Sequence, residues 1–238
     1  MGDLDMDGKR RPQSYYRSVL WGKDHGVHLY ARHPSLTGKH LYGMGWHWSD
    51  VQKNWTFEDQ YRGKTSEVEA YADCDCVEFY CNGKLVGTET PEKYIAKCNV
   101  PYEPGILSCK AIKDGVVIAE DAIETTGPAA QIVLSADRSV ITADGQDLSF
   151  ITAYVADEQG RVVVTNDYEL SAVVSGAGSL AGFGSANPCT AENYGTGKRF
   201  VFEGYALLCV RSEITTGEIQ VSVSCDGLKS AALTVVCQ

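Results

Sequence analysis

The sequence contains no apolar run long enough to cross a membrane. It also has no apolar signal core behind Met1, which is followed at once by charged residues. It lacks a basic stripe. Residues 1–127 carry 15 basic and 19 acidic side chains and residues 128–238 carry 6 and 12, so both parts share in the net charge of −10. Nucleic acid and membrane surfaces are therefore not expected partners. No phosphate-cradling loop lies between a strand and a helix: Gly176, Gly178, Gly182 and Gly184 have no helical pattern after them. No Gly-x-Ser-x-Gly nucleophile motif occurs, and no cofactor is expected. The nine cysteines are odd in number and show no compact disulfide spacing. Cys81, Cys109, Cys209, Cys225 and Cys237 fall in apolar or alternating stretches, where a thiol serves as a small buried hydrophobe.

What is present is mostly β. Val27, Leu29 and Ala31 alternate, as do Val68, Ala70 and Ala72, and then Val77, Phe79 and Cys81. Asn82-Gly83 and Asp114-Gly115 between such runs predict tight hairpins, because these residues tolerate positive φ. A joint at TTGP, residues 125–128, divides the chain, and Ile132 and Leu134 open the second part. LSFITAYVA, residues 148–156, is apolar on both faces, as a central strand covered on each side would be. Ile219, Val221, Val223 and Cys225 alternate with polar residues as a half-buried strand. The glycine-rich stretch 175–197 reads as a long mobile loop. At 238 residues, two domains of ordinary size are expected, as β-sandwiches over 25–126 and 128–238.

The first 24 residues differ from the rest. A short strand end over Asp3–Asp7 is followed by a helix from Pro12 to about Trp21, with proline at its first position and Gly22 as its stop. Tyr16, Val19 and Leu20 form its apolar stripe. One such helix does not bury that stripe alone, so it is expected to dock on a neighbouring molecule, pack on its own first sandwich, or disorder.

The run GDLDMDGKRRPQSYYRSVLW resembles the last strand–loop–helix of the catalytic barrel of glycoside hydrolase family 2, of the bacterial β-galactosidase type. YADCDCVEFYCNGKLVG with VPYEPGILSCKAIKDGVVIAED is similar to the immunoglobulin-like domain that follows that barrel. ADGQDLSFITAYVADEQGRVVV with GEIQVSVSCDGLKSAALTV is similar to the final immunoglobulin-like domain. The resemblance implies two immunoglobulin-like sandwiches preceded by a remnant of a (β/α)8 barrel. Family members cleave glycosidic bonds using two glutamates about 5 Å apart. No position here matches either one, so no catalytic residue is assigned. The chain is then expected to be a non-catalytic C-terminal piece that packs on the barrel of its own polypeptide. A glycan and a homo-oligomer remain open as partners, and periplasmic or secreted deployment is expected of the parent. A tandem immunoglobulin-like adhesion segment is disfavoured, because an adhesin has no use for a barrel remnant.

Several residue groups invite chemistry. Asp3, Asp5 and Asp7 begin like a calcium loop, but Ser14 stands where a bidentate acid is needed. Cys74, Cys76 and Cys81 suggest zinc, yet Cys81 falls on the other face of the strand and no second cluster completes a tetrahedral site. His25, His28, His33, His40 and His47 are not spaced like a helical metal motif, and no metal is expected. Trp46 and Trp48, two apart, are the candidates for stacking on a sugar, with Trp55 nearby. Burial in a core or between domains is the heavier alternative for both.

Overall fold

The computed structural model describes residues 2–39 and 48–238. The chain divides into two compact units, Met1–Thr125 and Thr126–Gln238. Both are β-sandwiches, and the described residues are mostly β with one short α-helix.

The first unit opens with a tight turn in which Leu4 pairs with Arg10, followed by helix α1 (Pro12–Leu20). Proline occupies the first turn, and Arg11 is extended before it. At the other end the Gly22 N–H donates to Val19 O and the Lys23 N–H to Ser18 O, with Gly22 at φ +61°, the left-handed stop expected of a glycine. The strands are β1 (His28–Ala31), β2 (Thr65–Tyr71), β3 (Cys76–Cys81), β4 (Lys84–Glu89), β5 (Ile95–Pro101), β6 (Ile106–Lys113) and β7 (Val116–Glu124). They form two antiparallel sheets, β1-β2-β5 and β4-β3-β6-β7.

Between these sheets lie Leu29, Val68, Ala70, Val77, Phe79 and Leu107, all fully buried. Trp55 joins them, its Nε1 donating to Glu103 O at 3.0 Å. Both predicted hairpin tips have two residues at positive φ: Asn82 and Gly83 (51° and 77°), and Asp114 and Gly115 (51° and 75°). Gly87 of β4 is required for a different reason. A Cβ there would come within 2.6 Å of Cys98 Sγ on β5, so the glycine lets the two sheets close.

The second unit contains β8 (Gln131–Ala136), β9 (Val140–Ile141), β10 (Leu148–Ala156), β11 (Glu169–Gly176), β12 (Gly178–Gly184), β13 (Lys198–Phe200), β14 (Tyr205–Ser212), β15 (Gly217–Ser224) and β16 (Ala231–Cys237). They build the sheets β12-β14-β10-β8 and β13-β11-β15-β16-β9, in which only the short β9–β16 pairing is parallel. Ile151, Val155, Phe183, Leu208, Val221 and Val235 fill the core.

Two expectations need correction. The stretch 175–197 is not one long loop, because it holds the end of β11 and all of β12. Phe183 is buried there between small residues, and β12 pairs with β14 through a bulge between Leu180 and Gly182. β10 is central in its sheet as expected, but its outer face is not fully covered: Phe150 is 41% exposed.

The entry of the chain into the second unit is fixed by Asp157, which is fully buried. Its carboxylate accepts from the backbone N–H groups of Gly127, Gln159 and Arg161 and pairs with the Arg161 guanidinium at 2.7 Å. Burial opposes the charge, but the Gly127 N–H and Arg161 outweigh it and hold the carboxyl below its ordinary range. A depressed carboxyl stabilises the fold above its unfolded pKa, and that stabilisation is lost as pH falls through the folded value. Asp157→Ala is expected to lower the Tm of this unit by roughly 5–10 °C at pH 7, with a smaller difference below pH 4. Calorimetry across pH checks this, and an effect that does not shrink in acid contradicts it.

Candidate functional site

The densest side-chain constellation lies on the outer face of the sheet β1-β2-β5, where α1 has docked. Period-two alternation places Glu69 and Tyr71 of β2 on that face. Tyr30 of β1 stands beside Tyr71 with ring centroids 5.2 Å apart. From α1, Tyr15 reaches His28 at 4.7 Å and Tyr16 reaches Tyr71 at 5.9 Å. Val19 is buried under the helix, and Gln13 Nε2 donates to Gly2 O at 2.7 Å. The helix therefore packs on its own sandwich, one of the three outcomes expected of it. The buried face differs from the expected stripe, since Leu20 is 41% exposed. Tyr16 and Val19 of that stripe do pack there, and Tyr15 takes the place of Leu20.

Trp48 belongs to the same cluster. Residues 48–52 run up to β1, where Ala31 and Gln52 exchange backbone hydrogen bonds at 2.9 Å. The half-buried indole lies 4.9 Å from the Tyr16 ring, and its Nε1 donates to Tyr71 Oη at 3.0 Å. Tyr71 Oη in turn donates to Glu69 Oε2 at 3.0 Å. The other oxygen of Glu69 receives Ser49 Oγ and Lys97 Nζ, each at 2.8 Å. This chain of donors satisfies a carboxylate whose side chain is nearly out of water. Burial, and then the Glu69 charge, push the Tyr71 hydroxyl far above its usual pKa; burial does the same for Tyr30. Both remain neutral donors at any ordinary pH. Trp46, the other half of the tryptophan pair, lies outside the described residues, as do His40 and His47.

The remaining candidates are dispersed. Asp3 pairs with Arg17 of α1. Asp5 and Asp7 both accept from the Lys9 N–H. Burial, together with a hydrogen bond and the charge of Asp7, raises the Asp5 carboxyl to about 7. His28 meets Asp24 at 2.9 Å, and His33 sits between Phe57 and Tyr61 while reaching Glu58 at 3.3 Å. Cys81 is buried on the face of β3 opposite to Cys76, and Cys74 Sγ donates to Cys76 O. All nine thiols are unpaired, and burial lifts Cys109 to about 12. Among the described residues, no group of three or more His, Cys, Asp or Glu is disposed to hold a metal ion. No helix among them is long and apolar enough to cross a membrane. Glu69 and Tyr71 were not singled out from the sequence. Their period-two spacing in SEVEAY was the available signal, but it does not reveal that Tyr71 meets Trp48 or that Glu69 meets Ser49.

Comparison with known proteins bears on what such a cluster belongs to. Residues 132–234 match the model of glycoside hydrolase family 2 C-terminal domain 5, and residues 63–119 match a domain of unknown function, DUF4982. The β-galactosidase BoGH2A of Bacteroides ovatus is 32% identical over 238 residues, covering 98% of this chain and 25% of that protein. A β-glucuronidase of Formosa agariphila is 28% identical over 192 residues, covering 76% of this chain and 19% of that protein. A solved structure of a glycosyl hydrolase family 2 member from Bacteroides cellulosilyticus superposes over 100% of this chain and 31% of its own, with TM-score 0.92 and 32% identity. The chain spans about a quarter or less of the length of these curated relatives.

Two measurements probe the cluster. Trp48→Phe and Tyr71→Phe each break the donor chain to Glu69, and each is expected to cost about 1–2 kcal/mol in urea unfolding. The double variant should cost less than the sum, because both changes cut one chain; strict additivity contradicts the coupling. Asp5 is the second probe. Its raised pKa favours the neutral form in the fold, so the turn is fully stabilised below about pH 4 and weakens as pH rises toward 7. A carboxyl carbon-13 titration should give Asp5 a midpoint near neutrality, and a midpoint near 4 contradicts it.

Proposed function

Because this chain consists of C-terminal domains of glycoside hydrolase family 2, we propose that it is the non-catalytic scaffold of a hydrolase that cleaves terminal β-galactosides or related β-glycosides with retention. Both catalytic carboxyl groups then come from a barrel elsewhere in the same polypeptide. The names of the relatives, β-galactosidase and β-glucuronidase, support the substrate class. A single observation carries the scaffold role. With the inner face of α1 spent on its own sandwich, Leu20 and Trp21 (65% exposed) face outward, and Leu4 and Met6 are also exposed in the turn before it. Apolar side chains gathered in one short segment, on a unit that already has a core, suit a second protein surface. The segment is also the one that resembles barrel sequence, so the barrel is the partner assigned to it.

Sugar contact through Trp46 and Trp48 is the second reading, favoured by the partial exposure of the Trp48 ring. The chain itself is expected to release no product from nitrophenyl β-galactoside or β-glucuronide. Co-expressed with the B. ovatus β-galactosidase stripped of its matching C-terminal quarter, it should restore soluble, active enzyme. Leu20→Asp with Trp21→Asp should remove at least roughly nine-tenths of that rescue while leaving the chain folded. Rescue that ignores these two changes counts against the docking face, and turnover by the chain alone counts against the scaffold.

A further inference from the structure

The two outward faces of the second sandwich differ in chemistry. On the sheet β13-β11-β15-β16-β9 the middle outward positions are short and polar, among them Gln220, Ser222, Ser224 and Thr234, all exposed. Val173 and Val236, with Val140 and Phe200 on the edge strands, are the apolar exceptions there. On β12-β14-β10-β8, alternation sends Ile151, Ala153, Ala206 and Leu208 inward and turns Phe150, Thr152, Tyr154, Tyr205 and Leu207 outward. Register sets these into rows. Phe150 lies opposite Cys209, Thr152 opposite Leu207, and Tyr154 opposite Tyr205, with ring centroids 5.7 Å apart in the last pair.

On β12 the outward positions next to Cys209 and Leu207 are Gly182 and Gly184, which carry no side chain. The ring of Tyr194 fills that place: a Cβ on Gly184 would meet its Cε1 at 3.0 Å. Tyr194 is 48% exposed and is backed by the Arg199 guanidinium 4.6 Å from its ring. The rows Tyr154–Tyr205 and Thr152–Leu207 carry no charge, in a unit that has twice as many acidic as basic residues; Arg211 and Asp137 lie beyond them, next to Cys209.

We propose that this face binds a neutral, flat, β-linked glycan chain. Apolar faces of successive sugar rings stack on aromatic rings, and Tyr154, Tyr194 and Thr152 bring hydroxyls to the same face for sugar hydroxyls to meet. Arg211 and Asp137 stand only at the Phe150–Cys209 end, so along the Tyr154–Tyr205 and Thr152–Leu207 rows a charged ligand finds no counter-ion, whereas a neutral polyol needs none. Size argues against a protein partner. With strands about 4.8 Å apart and outward rows about 6.7 Å apart, the patch measures roughly 200–300 Å², against about 800 Å² per partner in a stable dimer. The inference rests on this face and not on the hydrolase reading, so failure of the barrel rescue leaves it standing, and the reverse holds as well.

Calorimetric titration of the full chain with cellohexaose and with β-1,4-galactotetraose tests it. Saturable heat is expected with at least one of the two. Tyr154→Ala or Tyr205→Ala should weaken it roughly tenfold or more, and Ser222→Ala on the other sheet should leave it unchanged. Thr152→Asp places a charge on the face without touching the core and should abolish binding in a chain with unaltered circular dichroism, which covers the case in which a tyrosine variant fails to fold. The proposal is overturned if the folded chain gives no heat at millimolar sugar, or if binding survives Thr152→Asp. Sedimentation showing a dimer that Thr152→Asp disperses also overturns it, in favour of a second copy of the chain.

Discussion

Both sandwiches depend on carboxylates that accept backbone N–H groups where sheets end. A strand end or an edge leaves donors without partners, and burying such a donor unpaired costs more than an ordinary hydrogen bond returns. Asp121 of β7 accepts from Leu29 N–H of β1 at 2.8 Å and holds Lys53 with both oxygens, joining the two sheets of the first unit along one edge. Asp147 takes the N–H groups of Thr142 and Leu148 and an Arg138 nitrogen beside β9. Glu192 takes Phe200 N–H at 3.0 Å and the buried Arg199 at 3.1 Å, holding down the segment between β12 and β13. The acidic balance of the chain is thus partly structural, since a charge-assisted acceptor is stronger than a neutral one.

Much of the fold was legible because its signals are local. The Asn82-Gly83 and Asp114-Gly115 turns follow from tolerance of positive φ, and α1 follows from Pro12 and Gly22. β12 was not legible. Glycines on alternate positions of GSLAGFG look like a flexible loop until it is known that β14 lies on one side and that Tyr194 occupies the space the missing side chains leave. The burying face of α1 was misjudged for a related reason. Tyr16 and Val19 pack as projected, but the partner is a sheet rich in aromatic rings, and it takes Tyr15 in place of Leu20. The role of Trp48 was the least legible, because Tyr71 reaches it, as Glu69 reaches Ser49 beside it, only through folding back by some twenty residues.

The same economy runs through the functional surfaces. Trp48 spends its one donor inward on Tyr71, while Tyr154 and Tyr205 pair their rings across the outward face of the other unit. Leu20 and Trp21 sit beside a helix that is already docked.

The place of β16 has a consequence for how the chain is made. β16 lies between β15 and β9, with Val235 and Cys237 buried, and Gln238 is bonded on both sides to the 141–143 segment. The five-stranded sheet therefore stays open until residues 231–238 have left the ribosome, while everything through Thr125 is already free to fold. The first sandwich is the earlier object in time, and the second waits with the core face of β10 and β14 uncovered until translation has passed its last strand.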